Sequence, residues 1–286
     1  MLTSRTRAAS PAISRVRALI IASHPGPSLA ITAMVTVLAA QAAPHGLGPL
    51  LVAPAILAGQ ISVGWSNDCF DAARDAAAGR TDKPIAGGDI SARAVWIAAL
   101  TALAAALAMS AAIGPRPLLL NSVMIGAAWA YNAGLKSSWA SGLMYIAGFA
   151  PIPGFVTSTL PGHPLPNWQA TAAAGALGVG AHFANVLPDL AADRAAGVNG
   201  LPQIVYARWG GGAVRAIALM LLLAATVLLL LAATPARRWV SAAGLAAACV
   251  LAAVGFRGSG KLPFVAALGI AAINVVLFAA GSEALT

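Results

Sequence analysis

The sequence predicts an all-α, polytopic membrane protein of nine transmembrane helices with its N-terminus in the cytoplasm. Three observations carry that expectation. The chain is 59% hydrophobic and only 9% charged over 286 residues, whereas a soluble domain carries about 25% charged residues. Too little polar surface remains to cover a globule of this length in water. Apolar runs recur along the chain, each near the roughly 20 residues that cross a bilayer core as a helix. The strict apolar/polar alternation of an outer-membrane barrel is missing. The runs are instead dominated by Ala and Leu, with frequent Gly, and small residues let membrane helices approach closely.

The runs are separated by Gly- and Pro-rich turns. The first, 18–43, follows Arg5, Arg7, Arg15 and Arg17 and stops at Pro44-His45-Gly46. Ala40-Gln41-Ala42 resembles a cleavage site, but an apolar core of about 25 residues exceeds the roughly 7–15 of a signal peptide. The run is therefore read as a retained span. Next come 50–74, ended by the segment from Gly79 to Gly88; 91–113, ended by Gly114-Pro115-Arg116-Pro117; and 118–135. The remainder are 141–160, ended by Pro161-Gly162-His163-Pro164; 168–188; 209–233, ended by Thr234-Pro235; 239–256, ended by Gly258-Ser259-Gly260; and 264–283. The domain organisation is a basic cytoplasmic segment, 1–17, and one transmembrane domain, 18–286, capped by cytoplasmic loops at 75–90 and 189–208.

The net charge of +9 does not point to nucleic acid, since no recognition motif accompanies it. Its cations lie in short connections between apolar runs, where they set topology. With a cytoplasmic N-terminus and nine alternating spans, fourteen of the seventeen Lys and Arg face the cytoplasm. Only Arg116, Arg237 and Arg238 face outward, so the reverse orientation would violate the positive-inside bias. The expected location is the inner (cell) membrane. Cys69 and Cys249 have no metal-ligand spacing and form no disulfide framework.

The acids are where the sequence becomes specific. There are eight, and charges at membrane depth are costly and usually functional. Six fall in two segments. The first reads Asn67-Asp68-Cys69-Phe70-Asp71-Ala72-Ala73-Arg74-Asp75, followed by Gly79-Arg80-Thr81-Asp82-Lys83-Pro84. The second reads Asn185-Val186-Leu187-Pro188-Asp189-Leu190-Ala191-Ala192-Asp193-Arg194. Both sit at cytoplasmic ends of even-numbered spans. Asp68, Asp71 and Asp75, at i, i+3 and i+7, share one helix face. Asn185, Asp189 and Asp193, at i, i+4 and i+8, would do the same unless Pro188 ends the helix. Clustered carboxylates repel unless cations neutralise them. Such hard oxygen ligands suit Mg²⁺, which uses one or two carboxylates, waters and substrate phosphates. Arg80, Lys83, Arg194 and Lys136 lie near enough in sequence to hold a diphosphate. Asp89 reads as a helix-start residue before the third span. His24 and His182 read as buried hydrogen-bonding histidines.

These residues resemble the UbiA superfamily of membrane prenyltransferases. The first segment is similar to its N-D-x-x-D-x-x-x-D motif, Asp189 to Asp193 to its D-x-x-x-D motif, and Tyr131-Asn132-Ala133-Gly134-Leu135-Lys136 to its tyrosine-to-lysine element. The resemblance runs from about 18 to 283. One departure is Lys83, where many members have Arg; Lys lacks the bidentate fork.

The resemblance implies a central cavity under cytoplasmic loops, and two Mg²⁺ ions that hold an isoprenyl diphosphate. It implies metal ligation by Asp68, Asp71, Asp75, Asp189 and Asp193, and catalysis by Asp68, Asp71, Asp189 and Lys136. Substrate contacts would come from Asn67, Arg80, Lys83, Tyr131, Asn132, Lys136, Asn185 and Arg194. The implied chemistry is ionisation of the allylic C–O bond, with charge taken up at the diphosphate, then attack on an electron-rich acceptor. The acceptor is expected to be a small aromatic of quinone or related lipid synthesis. Transfer to a sugar or glycerol phosphate and intramolecular terpene cyclisation are the alternatives. Trp65, Phe70, Trp129, Tyr131 and Phe183 are candidates for an apolar lining that keeps water out. A secondary transporter would place ionisable residues near the bilayer midplane; here they sit at helix ends on one side.

Overall fold

Wherever the chain is apolar over a long stretch it is helical. The computed structural model describes residues 11–43, 48–190, 193, 197–281 and 285. The helices are α1 (Pro11–Ala22), α2 (Pro25–Ala42), α3 (Gly48–Ala77), α4 (Ala92–Ile113), α5 (Pro115–Asn132) and α6 (Ser141–Phe149). They continue as α7 (Ile152–Thr157), α8 (Trp168–Asn185), α9 (Leu201–Ala232), α10 (Arg238–Arg257) and α11 (Leu262–Ala280). Six of them, α2, α3, α4, α9, α10 and α11, are long and apolar enough to cross a membrane. The all-helical, multi-pass architecture stands.

Four boundaries differ from the expectation, each for a local reason. The first apolar run is two helices, because His24 takes a left-handed conformation (φ 50°, ψ 62°) and Pro25 restarts the chain. The fourth helix stops at Asn132, and Lys136 lies beyond it in a 3₁₀ turn, Leu135–Ser137. The fifth run divides into α6 and α7 at Ala150-Pro151. The end of the 189–208 connection is helical, since α9 starts at Leu201 and bends at Gly210 (φ 76°, ψ 175°). That bend separates a short segment carrying Arg208 and Trp209 from the long apolar stretch behind it.

The main core gathers residues of α2, α3, α5, α7, α8, α9, α10 and α11. Helix α8 packs closely there because its buried face, from Ala170 to Ala184, is mostly Ala and Gly, with Leu177, His182 and Phe183 among them. Polar ties supplement dispersion where helices cross in an apolar setting. Asn274 on α11 donates to the Leu222 carbonyl on α9 at 3.0 Å and accepts from Thr226 Oγ1 at 3.0 Å. Asn121 on α5 donates to Ser110 Oγ on α4 at 2.8 Å. At the end opposite the aspartates, Arg116 reaches four acceptors on Gly154, Thr157, His163 and Pro164 and pins that loop.

A second, smaller core joins α1, α3, the 84–90 loop and α4 through Ala18, Cys69, Ile90 and Val95. It lies beside the first aspartate segment, so the site is backed by packed side chains. Exposed Trp139 and Trp209 sit at the aspartate end, and exposed Trp168 and Trp239 at the other. This is the distribution expected of residues at the two membrane–water interfaces.

Candidate active site

Asp68, Asp71 and Asp75 occupy the last turns of α3, and their shared face is turned inward. They are 2%, 7% and 5% exposed. Buried carboxylates are costly unless paired, and two lysines pair with Asp68 and Asp71. The Lys83 ammonium donates to Asp68 Oδ1 at 2.8 Å. Lys136 forms a short ion pair with Asp71 Oδ1, while Arg74 bonds the other oxygen of Asp71 at 2.8 Å. The 78–91 connection is wound into successive turns that deliver Lys83. Arg80 N returns to Asp75 O at 3.0 Å, Gly87 N to Lys83 O at 2.7 Å and Asp89 N to Pro84 O at 3.0 Å. Arg80 itself points to the surface and pairs with Asp82 at 2.7 Å. That hydrogen bond holds the Asp82 carboxyl below its ordinary range.

His24 also reaches this cluster. Its Nε2 lies 2.8 Å from Asp68 Oδ1, the oxygen that Lys83 also contacts. Sequence alone placed His24 among ordinary buried histidines. The sequence signal was a His-Pro pair opening an apolar run, but its partner stands 44 residues away.

The second segment is arranged differently from the expectation. Helix α8 ends at Asn185, and Val186–Asp189 form turns. Asn185, Asp189 and Asp193 therefore do not share a helix face; Pro188 removes the donor a continued helix would need. Asp189 N bonds Val186 O at 3.1 Å, and Asp193 N bonds Asp189 O at 2.8 Å. Asn185 and Asp189 are exposed. Asp193 Oδ2 accepts from Gln203 Nε2 at 3.0 Å. Arg194 lies outside the described residues, as do Glu283 and His45.

Gln203, missed in the sequence, ties the second segment to the start of α9. It is buried in the first turn of α9, right after Gly200 and Pro202. A Cβ on Gly200 would fall 2.6 Å from the Lys136 carbonyl, so this glycine lets α9 start against the Lys136 turn. Two pairs, Asp71–Lys136 and Asp193–Gln203, thus form a set that adjoins at Gly200, through the Lys136 carbonyl and the Gln203 amide oxygen.

Three aromatic groups stand beside this set. The Tyr145 and His182 rings stack at 4.3 Å, and Tyr131 meets each edge-on, at 5.4 and 5.9 Å. His182 Nε2 lies 3.0 Å from Ser141 Oγ, which accepts from the Leu201 amide at 2.8 Å. His182 is therefore a buried, hydrogen-bonded residue, as expected, and it ties α6 and α8 to the start of α9.

Other candidates are spent on packing. Asn132 Nδ2 donates to Val63 O and Ser66 Oγ on α3. Trp129 donates to Ser62 Oγ, and Trp65 to the Leu19 carbonyl. Phe70 packs edge-on against Trp96 at 5.1 Å. Phe183 is buried in the main core. Asn67 is half-buried one residue before Asp68. Asp89 is not the cap of α4; that role belongs to Ser91, whose side chain accepts from Ala94 N at 3.3 Å.

A helical membrane bundle with two carboxylate segments and their cations gathered at one end is a defined class of protein. The sequence profile of the UbiA prenyltransferase family matches residues 28–261, and the chain belongs to that family. No curated protein matches it in sequence. Its fold is similar to that of a UbiA homologue from Archaeoglobus fulgidus bound to GPP and Mg²⁺, at 16% identity and a TM-score of 0.66, covering 93% of this chain and 99% of that one. It is also similar to a digeranylgeranylglyceryl phosphate synthase, at 14% identity and 0.73, covering 93% and 98%. An apo UbiA homologue from Aeropyrum pernix K1 aligns at 19% identity and 0.61, covering 86% and 95%.

Proposed function

We propose that the chain transfers an isoprenyl group from an isoprenyl diphosphate to a small aromatic acceptor and releases diphosphate, with Mg²⁺ as cofactor. The observation that carries this reading is three pairs, Asp68–Lys83, Asp71–Lys136 and Asp193–Gln203, gathered at one end of the bundle. Carboxylates suit Mg²⁺, a hard cation that completes its shell with water and substrate phosphate. Asp68, Asp71 and Asp75 would hold one ion, and Asp189 and Asp193 a second. Bound Mg²⁺ would neutralise the charge that grows on the diphosphate as the allylic C–O bond breaks. Lys83 and Lys136 would donate to phosphate oxygens, with Asn67, Asn185, Arg80 and Arg194 around them. The stacked Tyr145–His182 pair and Tyr131 would form a dry aromatic wall beside the reacting carbon.

The aromatic acceptor is favoured over a sugar or glycerol phosphate by the cation inventory. A phosphate acceptor needs an anion-binding set of its own, beyond the Lys83, Lys136 and Arg80 that this reading gives to the diphosphate, whereas an uncharged aromatic ring needs none. In the membrane, the reading has nine crossings, with α1–α2 together as the first and α6–α7 as the fifth. The N-terminus and the aspartates face the cytoplasm, in the inner membrane, on the strength of the basic asymmetry. The test is mass spectrometry of products from the purified chain in lipid discs, given labelled isoprenyl diphosphates and aromatic or phosphate acceptors. Prenylated aromatics with stoichiometric diphosphate release are expected. No diphosphate release with any acceptor would sink the reading.

A further inference from the structure

The break between α1 and α2 is held by an unusual number of contacts. The Leu19 carbonyl accepts from Trp65 on α3 at 2.8 Å, and the Ser23 carbonyl accepts from Ser28 Oγ at 2.8 Å. Ser23 Oγ donates to the Ile20 carbonyl at 2.8 Å, and His24 N to Ile21 O at 3.1 Å. The Ser23 backbone presses on α3 at Gly64, where a Cβ would fall 2.3 Å from the Ser23 carbonyl oxygen. Gly64 is one helical turn before Asp68, on the same face.

This packing forces His24 into the left-handed region (φ 50°, ψ 62°). A non-glycine residue there is strained at a cost on the order of 1 kcal/mol or more, and such strain persists only where surroundings over-determine it. The result of the strain is specific: His24 Nε2 meets Asp68 Oδ1 at 2.8 Å, beside the Lys83 ammonium on the same oxygen.

From this geometry we infer that His24 is a positioning residue of the first carboxylate cluster, fixing the Asp68 carboxylate in its metal-holding orientation. The inference rests on the Mg²⁺-dependent reading above. With Oδ1 held by two donors, the carboxylate plane cannot turn, and ligation falls to Oδ2. Partners that hold ligating carboxylates typically change metal affinity by about 10–100-fold when removed. Neither α1 nor the 23–24 break contributes a ligand itself; their role is to bring one imidazole to one oxygen.

The test is Mn²⁺ binding to the purified full-length chain, read from the free-ion paramagnetic signal, with and without a non-reactive geranyl thiolodiphosphate. His24→Gly removes the imidazole and relieves the strain, so its melting temperature should match or exceed that of the parent. Its Mn²⁺ affinity should fall about 10–100-fold. His24→Asn tolerates the left-handed region but falls short of Asp68 and should show the same loss. His24→Gln returns a donor to the place of Nε2 and should recover affinity to within a few-fold. Parent-like affinity in a folded His24→Gly or His24→Asn protein overturns the inference. Asp68→Ala separates the two ideas: if it binds Mn²⁺ as well as the parent does, the metal reading itself fails, whatever His24 does.

Discussion

Gln203 Nε2 donates to Asp193 Oδ2 at 3.0 Å, and this one hydrogen bond connects the start of α9 to the second aspartate segment. Its amide oxygen lies close to Gly200, where an added Cβ would fall 2.9 Å from it. Gln203→Leu keeps the approximate volume and removes the donor. Loss of an outer partner to a ligating carboxylate predicts a fall in turnover of about 10–100-fold, with a raised Mg²⁺ requirement. Gln203→Glu places a second negative charge against Asp193 and should be worse. Steady-state prenyl transfer at varied Mg²⁺ checks both. Parent-like kinetics in Gln203→Leu would mean that Asp193 needs no orientation.

The metal reading predicts that chelation abolishes turnover and that added Mg²⁺ restores it. Asp68→Ala, Asp71→Ala and Asp189→Ala should each lose on the order of 10²–10³ in rate, as when a contact to transition-state charge is removed. Asp89→Ala should be near-normal in activity. Ser91→Ala should instead cost about 1 kcal/mol of stability, because Ser91 makes the α4 cap. Thermal melts and activity of matched variants separate the two classes. An inactive Asp89→Ala beside a normal Asp68→Ala would show that the site has been assigned to the wrong acids.

Topology can be read with single cysteines. Cys249 is exposed and Cys69 buried, so Cys249→Ser comes first. With that background, Ala78→Cys, in the connection after α3, should react only with reagent on the cytoplasmic side. A probe at Pro161, at the opposite end of the bundle, should react only from outside. The reverse pattern would invert the orientation drawn from Lys and Arg.

Much of this was legible in the sequence for a physical reason. Helical membrane spans announce themselves by length and apolarity, and Asp68, Asp71 and Asp75 announce a shared face by spacing alone. The breaks were less legible. Nothing local says that the first apolar run turns at His24, because the cause is Gly64, 40 positions away, admitting the Ser23 carbonyl. Pro188 did warn that the face through Asn185, Asp189 and Asp193 was uncertain, and the chain does leave the helix before it. Gln203 carried no signal, being a single amide in an apolar stretch. Lys136 was visible as a charge, but its partner Asp71, 65 residues earlier, is set by how α3 and α5 pack.

Gly64 offers the last prediction, and it runs through backbone alone. Gly64→Ala adds one methyl, and the nearest atoms to it are the Ser23 carbonyl oxygen and carbon, at 2.3 and 2.6 Å. Those atoms are main chain, held by Ser28 Oγ and by the last turn of α1. They cannot rotate away as a flexible side chain would. The α1–α2 break must therefore lift off α3, and His24 must lift with it. Within α3 itself, alanine is a better helix former than glycine by roughly 1 kcal/mol, so α3 gains stability while the α1 contact is lost. The expected outcome is a protein that inserts and folds, with a melting temperature changed little in either direction. Its Mn²⁺ affinity should fall as it does in His24→Gly. Combining Gly64→Ala with His24→Gly should add almost nothing, because both act through the same contact to Asp68. A full additive loss in the double variant would mean that Gly64 serves the site by a route other than His24.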